Sequence, residues 1–279
     1  KTPDTMRQHK IIGVVFRFHP VINGTGLFQT LGSFTLPAIA SGFRLANNVK
    51  IPCVGLGTWQ VPDDEKLIEH IHDAINIGYR HIDTASFTAT KPVWAKRSYL
   101  GIPREKLFIT SKLWNADRGY DAAMRAFDNT LQKMDLSYLD CSSFIGLPPK
   151  GTDDLAKHQL RHLASLEDLY EQGVVRAIGV SNFLSHHLVP LLARARIAPM
   201  VNQIEFHPGY RQASTFDFCC SRNIQVLLGR RWRAGLVRNP VLLEIANHHG
   251  VSTGQVCLRW CLQHGVAAVV KSLSPERRR

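Results

Sequence analysis

At 279 residues, with 44% hydrophobic and 20% charged side chains, the chain is long enough to bury one large core, and parallel α/β barrels commonly reach this size as one domain. Its 34 lysines and arginines stand against 22 aspartates and glutamates, and the net charge of +12 favours an anionic partner, whether nucleic acid, an acidic surface or a phosphorylated cofactor. No apolar run approaches the roughly 18 residues that cross a bilayer, which excludes a helical membrane span from the expected functions.

Residues 1–42 contain one acidic and several basic side chains, with no clear amphipathic period or cleavage site. They are expected to form a poorly ordered or loosely docked extension. A barrel domain is expected over residues 43–279. "FRLANNVKIP" reads as a β-hairpin turning at Asn47 and Asn48. After it come eight short β-branched or apolar runs, each bounded by turn or polar residues: "CVGLGTW", "RHIDTA", "LFITSKLW", "YLDCSSFI", "VVRAIGVSNF", "MVNQIEF", "IQVLLG" and "VAAVVKS".

Between the runs lie amphipathic stretches such as "DEKLIEHIHDAINIGY", "GYDAAMRAFDNTLQKMD", "HLASLEDLYEQG", "SHHLVPLLARARI" and "NPVLLEIANHHG". Gly78, Gly173 and Gly250 close three of them, where a left-handed residue ends a helix. Repeated βα units in about 230 residues predict a (β/α)₈ TIM barrel with an N-terminal β-hairpin, whose site must lie at the C-terminal strand ends. The six cysteines (Cys53, Cys141, Cys219, Cys220, Cys257 and Cys261) form no CxxC pair and read as reduced, buried thiols. Cys257 and Cys261 share one face of a predicted helix and read as core filling. His158 and His162 have the spacing of helical metal ligands without the glutamate of a zinc-protease motif, so a surface helix and no metal are expected.

"VGLGTWQ", "GYRHIDTA", "LFITSKLWN", "YLD", "RAIGVSNF", "VNQIEFHP", "LRWCLQHG" and "KSLSPER" together, in this order, resemble the aldo-keto reductase family over residues 43–279. The resemblance implies a barrel that binds NADP(H) and moves a hydride to an aldehyde or ketone. Family members use a tyrosine as proton donor, a lysine that lowers its pKa, an aspartate paired with the lysine, and a histidine that orients the carbonyl. Asp83 and Lys112 match the aspartate and lysine. The tyrosine position, five residues after the aspartate, is Thr88, whose hydroxyl is no phenol-like acid. The histidine position falls on Ile145, or on Gly146 if the frame moves one place to meet Pro148.

The same resemblance assigns Ser181, Asn182 and Gln203 to the nicotinamide carboxamide, Lys271, Ser272 and Arg277 to the 2′-phosphate of NADP, and Gly57 and Thr58 to the cofactor side of the first strand end. Trp59 matches an aromatic wall of the substrate pocket. The residue on which the nicotinamide stacks aligns with Gly229, followed by "RRWRAG" with Arg230, Arg231 and Arg233. The chain stops at Arg279, before the residues that in the family complete the adenine site and the C-terminal substrate loop.

Three readings stand side by side at this point: an NADPH-dependent reductase of aldehydes and ketones, impaired by loss of its acid and histidine; a catalytically inactive NADP-binding sensor or scaffold; and a basic relic without enzymatic function. The expected partner is a small carbonyl compound, not nucleic acid or a membrane. A monomer in the cytoplasm is expected, with import through residues 1–42 as an alternative.

Overall fold

In the sequence, Leu45 and Val49 bracket two asparagines, and in the computed structural model they close a hairpin. Residues 41–59, 61, 65–85, 101–114, 117, 119–146, 155–229 and 235–271 are described. Strands β1 (Gly42–Arg44) and β2 (Lys50–Pro52) pair antiparallel, with Phe43 opposite Ile51. Asn48 takes the left-handed conformation at φ 68°, which asparagine tolerates better than most residues, and the Asn47 Oδ1 accepts from the Val49 N–H at 3.2 Å.

Eight parallel strands follow and close on themselves: β3 (Val54–Gly57), β4 (His81–Asp83), β5 (Phe108–Leu113), β6 (Cys141–Ile145), β7 (Ile178–Ser181), β8 (Val201–Ile204), β9 (Gln225–Leu228) and β10 (Ala267–Val270), with β10 returning to β3. Helices α1 (Glu65–Ile77), α2 (Tyr120–Met134), α3 (Leu155–Glu171), α4 (Ser185–Leu192), α5 (Ala213–Ser221), α6 (Pro240–His249) and α7 (Thr253–Gln263) lie in the connections. The predicted glycine stops hold: Gly78, Gly173 and Gly250 have φ of 118°, 76° and 62°.

Strand alternation sorts the side chains into two cores. Leu56, Ile82, Ile109, Phe144, Val180 and Ile204 face outward, into one cluster with helix residues such as Ile71, Phe127, Leu166 and Leu188. Phe108, Cys141, Val201, Leu227 and Ala267 pack inside the barrel against Leu45 and Ile51, so the hairpin plugs its N-terminal end. That end is held by charge as well. Asp140, just before β6, is fully buried and receives the Ile109 N–H at 2.9 Å, the Arg104 guanidinium at 2.7 Å and that of Arg176 at 2.8 Å.

Two expectations need correction. His162 is not on a surface: it is 5% exposed, its Nε2 lies 2.6 Å from the Asp117 carbonyl, and its ring packs against Phe144. Helix α3 packs this face on the barrel, with Leu163 and Leu166 in the core, so its polar spacing hides an inward-facing imidazole. Cys220 is exposed although the other five cysteines are buried. Helix α5, from "ASTFDFCCS", fills one of the expected βα units although most of its residues have modest helix propensity. Among the described residues, no group of three or more metal-binding side chains occurs, and no helix is long and apolar enough to cross a membrane.

Candidate active site at the C-terminal barrel mouth

The period of two along a strand places His81 and Asp83 on one face of β4, and Thr110 and Lys112 on one face of β5; the adjacent strands bring these pairs together inside the barrel. At the upper level the Lys112 ammonium donates to the Asp83 Oδ1 and, at 3.3 Å, to the Thr84 carbonyl. Both side chains are nearly sealed, with 10% of Lys112 and 7% of Asp83 exposed. An ion pair this far from water persists only when its remaining lone pairs and protons are also engaged. Gln203 contributes: its Nε2 donates to the Asp83 Oδ2 at 3.1 Å, so each carboxylate oxygen has its own donor.

Asp83 is also fixed through its backbone. The Thr58 N–H donates to the Asp83 carbonyl at 2.9 Å and the Thr58 hydroxyl to the same oxygen at 3.3 Å. Thr58 is fully buried, and Gly57 beside it pairs in register with Asp83. Trp59, the next residue, exposes half of its surface at the rim.

One level lower, the His81 Nε2 lies 2.9 Å from the Thr110 Oγ1, while its Nδ1 is buried with no hydrogen-bond partner. Complete burial lowers the imidazole pKa to about 4; the Asp83 charge opposes this and the Lys112 charge reinforces it. The ring is therefore neutral at physiological pH. In the unfolded chain the imidazole titrates near 6.5, so between about pH 6.5 and 4 the unfolded state binds more protons and stability falls as pH falls. A His81→Gln variant is expected to lose that portion of the acid sensitivity. Urea midpoints for both proteins across this window test it; parallel curves would contradict the burial argument. Cys141 Sγ lies 3.9 Å from the Ser143 Oγ on the same inner face, and burial pushes its thiol up to about 12, leaving it an inert wall.

Opposite the ion pair, β7 and β8 present amides and a hydroxyl. The Asn182 N–H donates to the Gln203 carbonyl at 2.9 Å, and Asn182 takes φ 63°, turning the chain at the end of β7. The Asn182 Nδ2 and the Ser181 Oγ are 3.3 Å apart. Ser181 and Gln203 pair in register, so the three side chains share one edge of the mouth with Asp83 and Lys112. Lys271 follows the end of β10. Ser272 and Arg277 lie outside the described residues, as do Thr88 and Arg230, Arg231 and Arg233.

Ile145 ends β6 and is half-buried. It offers no proton. Gly146 is covered: a Cβ there would lie 3.0 Å from the Phe183 Cζ and closer to two other atoms of that ring. Gly229 follows β9, and the Gln203 side chain lies across it. The Gln203 contacts with Asp83 and Gly229 escape sequence reasoning, since 120 residues separate Gln203 from Asp83.

Comparison with known proteins sets this mouth in context. Residues 53–230 match the aldo/keto reductase family. Over 238 residues the chain is 43% identical to glyoxal reductase of Bacillus subtilis, covering 84% of this chain and 83% of that protein. It is 40% identical to 9,11-endoperoxide prostaglandin H2 reductase of Trypanosoma cruzi, covering 84% and 82%. Among solved structures, MGS-M4, an aldo-keto reductase from a Medee basin deep-sea metagenome library, superposes with a TM-score of 0.78 at 34% identity, covering 85% of this chain and 86% of that one. A further aldo-keto reductase, complexed with NADPH, superposes with a TM-score of 0.73 at 27% identity, covering 85% and 80%.

Proposed function

The chain belongs to the aldo/keto reductase family, and from that membership we propose that its barrel mouth binds NADP(H) and reduces small aldehydes or ketones, slowly, without the family's phenolic acid and histidine. The observation that carries the reading is the sealed Asp83–Lys112 pair facing the Ser181, Asn182 and Gln203 edge.

The residues present fit a nicotinamide. A carboxamide needs donors and acceptors in one plane, and a hydroxyl and two side-chain amides offer both. Gly229 offers no aromatic face for stacking, and the Gln203 side chain covers the backbone there instead. When bound, the reduced nicotinamide supplies the hydride. Ser181, Asn182 and Gln203 orient it, Gly57 and Thr58 shape the near wall, and Lys271, Ser272 and Arg277 meet the 2′-phosphate that separates NADP from NAD. Trp59 forms one wall for the carbonyl substrate.

The proton is the weak point. A reduced carbonyl leaves as an alcohol only if its oxygen gains a proton, and in the family a tyrosine supplies it. Here Asp83 keeps the Lys112 ammonium at the mouth, where its positive charge favours the developing alkoxide, and water delivers the proton. Losing a positioned general acid costs on the order of 10² to 10⁴ in rate. Turnover of 4-nitrobenzaldehyde with NADPH is therefore expected to be detectable and slow, and to fall to background in Lys112→Met. A parent protein with no turnover at high enzyme concentration would favour the reading as an inactive NADP-binding protein.

A further inference from the structure

We propose that Gly229 converts Gln203 into an internal lock on Asp83, and that this glycine thereby determines how little the nicotinamide half contributes to cofactor affinity. The inference rests on the assignment of Gln203 to the carboxamide made above. Its structural part is independent of that assignment.

The geometry is steric. A Cβ on Gly229 would lie 2.5 Å from the Gln203 Cδ and 3.0 Å from its Nε2, and closer still to Cγ. No real side chain tolerates such contacts, so the observed Gln203 rotamer exists only opposite glycine. In that rotamer the amide leans over the Gly229 backbone and donates to the Asp83 Oδ2 at 3.1 Å. Gln203 is 6% exposed and Asp83 5%, so water competes poorly for this bond. A hydrogen bond to a charged group is stronger than a bond between neutral partners.

The consequence follows from counting donors. The amide that would grip the carboxamide is already spent on the carboxylate, and a nicotinamide must draw it away. Binding of the adenine half makes no such demand. Any residue larger than glycine at position 229 would force Gln203 out of this rotamer and break its bond to Asp83, leaving the amide to the cofactor without that exchange. Alanine is the informative replacement, because a methyl group displaces the glutamine and cannot stack on a nicotinamide ring.

Calorimetric titration of the parent protein and Gly229→Ala with NADPH and with 2′-phospho-ADP-ribose, which lacks the nicotinamide, separates the two halves. The parent is expected to bind both within about threefold. Gly229→Ala is expected to bind NADPH about tenfold more tightly than the parent, with 2′-phospho-ADP-ribose unchanged. Equal changes for the two nucleotides, or none, would overturn the lock. Side-chain amide NMR of the parent is the second measurement, needing no variant that might misfold: the Gln203 NH₂ resonances should move when NADPH is added and stay when 2′-phospho-ADP-ribose is added. Resonances that ignore both, while both nucleotides bind, overturn the inference and leave the cofactor assignment standing. Absence of binding by either nucleotide overturns the cofactor assignment and the displacement together.

Discussion

Asp140→Ala is expected to destabilise the protein by about 3 kcal/mol, read as a lowered urea midpoint at unchanged slope. Asp140 is fully buried at the N-terminal end of the barrel and joins three segments: the Ile109 N–H of β5, Arg104 from the turn before it, and Arg176 from the turn before β7. Breaking a buried ion pair costs about 3–5 kcal/mol because the remaining partners are left without a counter-charge. The lower figure applies, since 46% of the Arg176 side chain is exposed and can recover water. Arg104 cannot recover as easily. It is 14% exposed, stacked 4.0 Å from the centre of the Tyr138 ring, and tied to the Leu107 and Tyr138 carbonyls. Asp140→Asn, which keeps an acceptor for the Ile109 N–H, should lose less than the alanine variant. A loss below about 1 kcal/mol for alanine would show that the cluster does not hold the barrel bottom together.

Carbonyl reduction by a Thr88→Tyr, Ile145→His double variant is expected to rise on the order of 10²-fold or more over the parent, in kcat more than in KM. Ile145 shares the inner face of β6 with Cys141 and Ser143 and pairs in register with Ser181, so a histidine there would stand beside the proposed carboxamide site. Thr88 lies five residues after Asp83 in the chain and outside the described residues, so its replacement rests on the family spacing alone. The retained ion pair should act on a restored phenol at once, because a nearby ammonium favours the phenolate and lowers the cost of giving up its proton. Pre-steady-state hydride transfer with deuterated NADPH would locate the gain in the chemical step. An unchanged rate in a folded double variant would contradict the view that these two positions limit the reaction.

Much of the barrel was legible because most strands lie in short β-branched or apolar runs buried on both sides and bounded by turn or polar residues. Asp83 and Lys112 were named from the family resemblance, and the period of two along β4 and β5 then explains why His81 and Thr110 lie beneath them. Pairwise contacts across the mouth did not follow from spacing. That Asp83 has two donors, that Gln203 crosses Gly229, and that Phe183 covers Gly146 depend on rotamers set by neighbours far away in the chain. The burial of His162 was hidden by a helix that reads as polar at both ends of the HQLRH stretch. The roles of the mouth residues came from resemblance to a family, since neither periodicity nor charge distinguishes a cofactor amide from an ordinary glutamine.

Binding of NADP(H) at the mouth is what every proposed role of Ser181, Asn182 and Gln203 requires. Calorimetric titration of the parent protein with NADPH, at low and at moderate salt and with NADH as the control, tests it directly. The expected result is micromolar binding of NADPH, at least about tenfold tighter than NADH and weakened by salt, as charge-assisted contacts from Lys271, Ser272 and Arg277 to a 2′-phosphate require. Absence of binding, or equal affinity for NADPH and NADH, would contradict it.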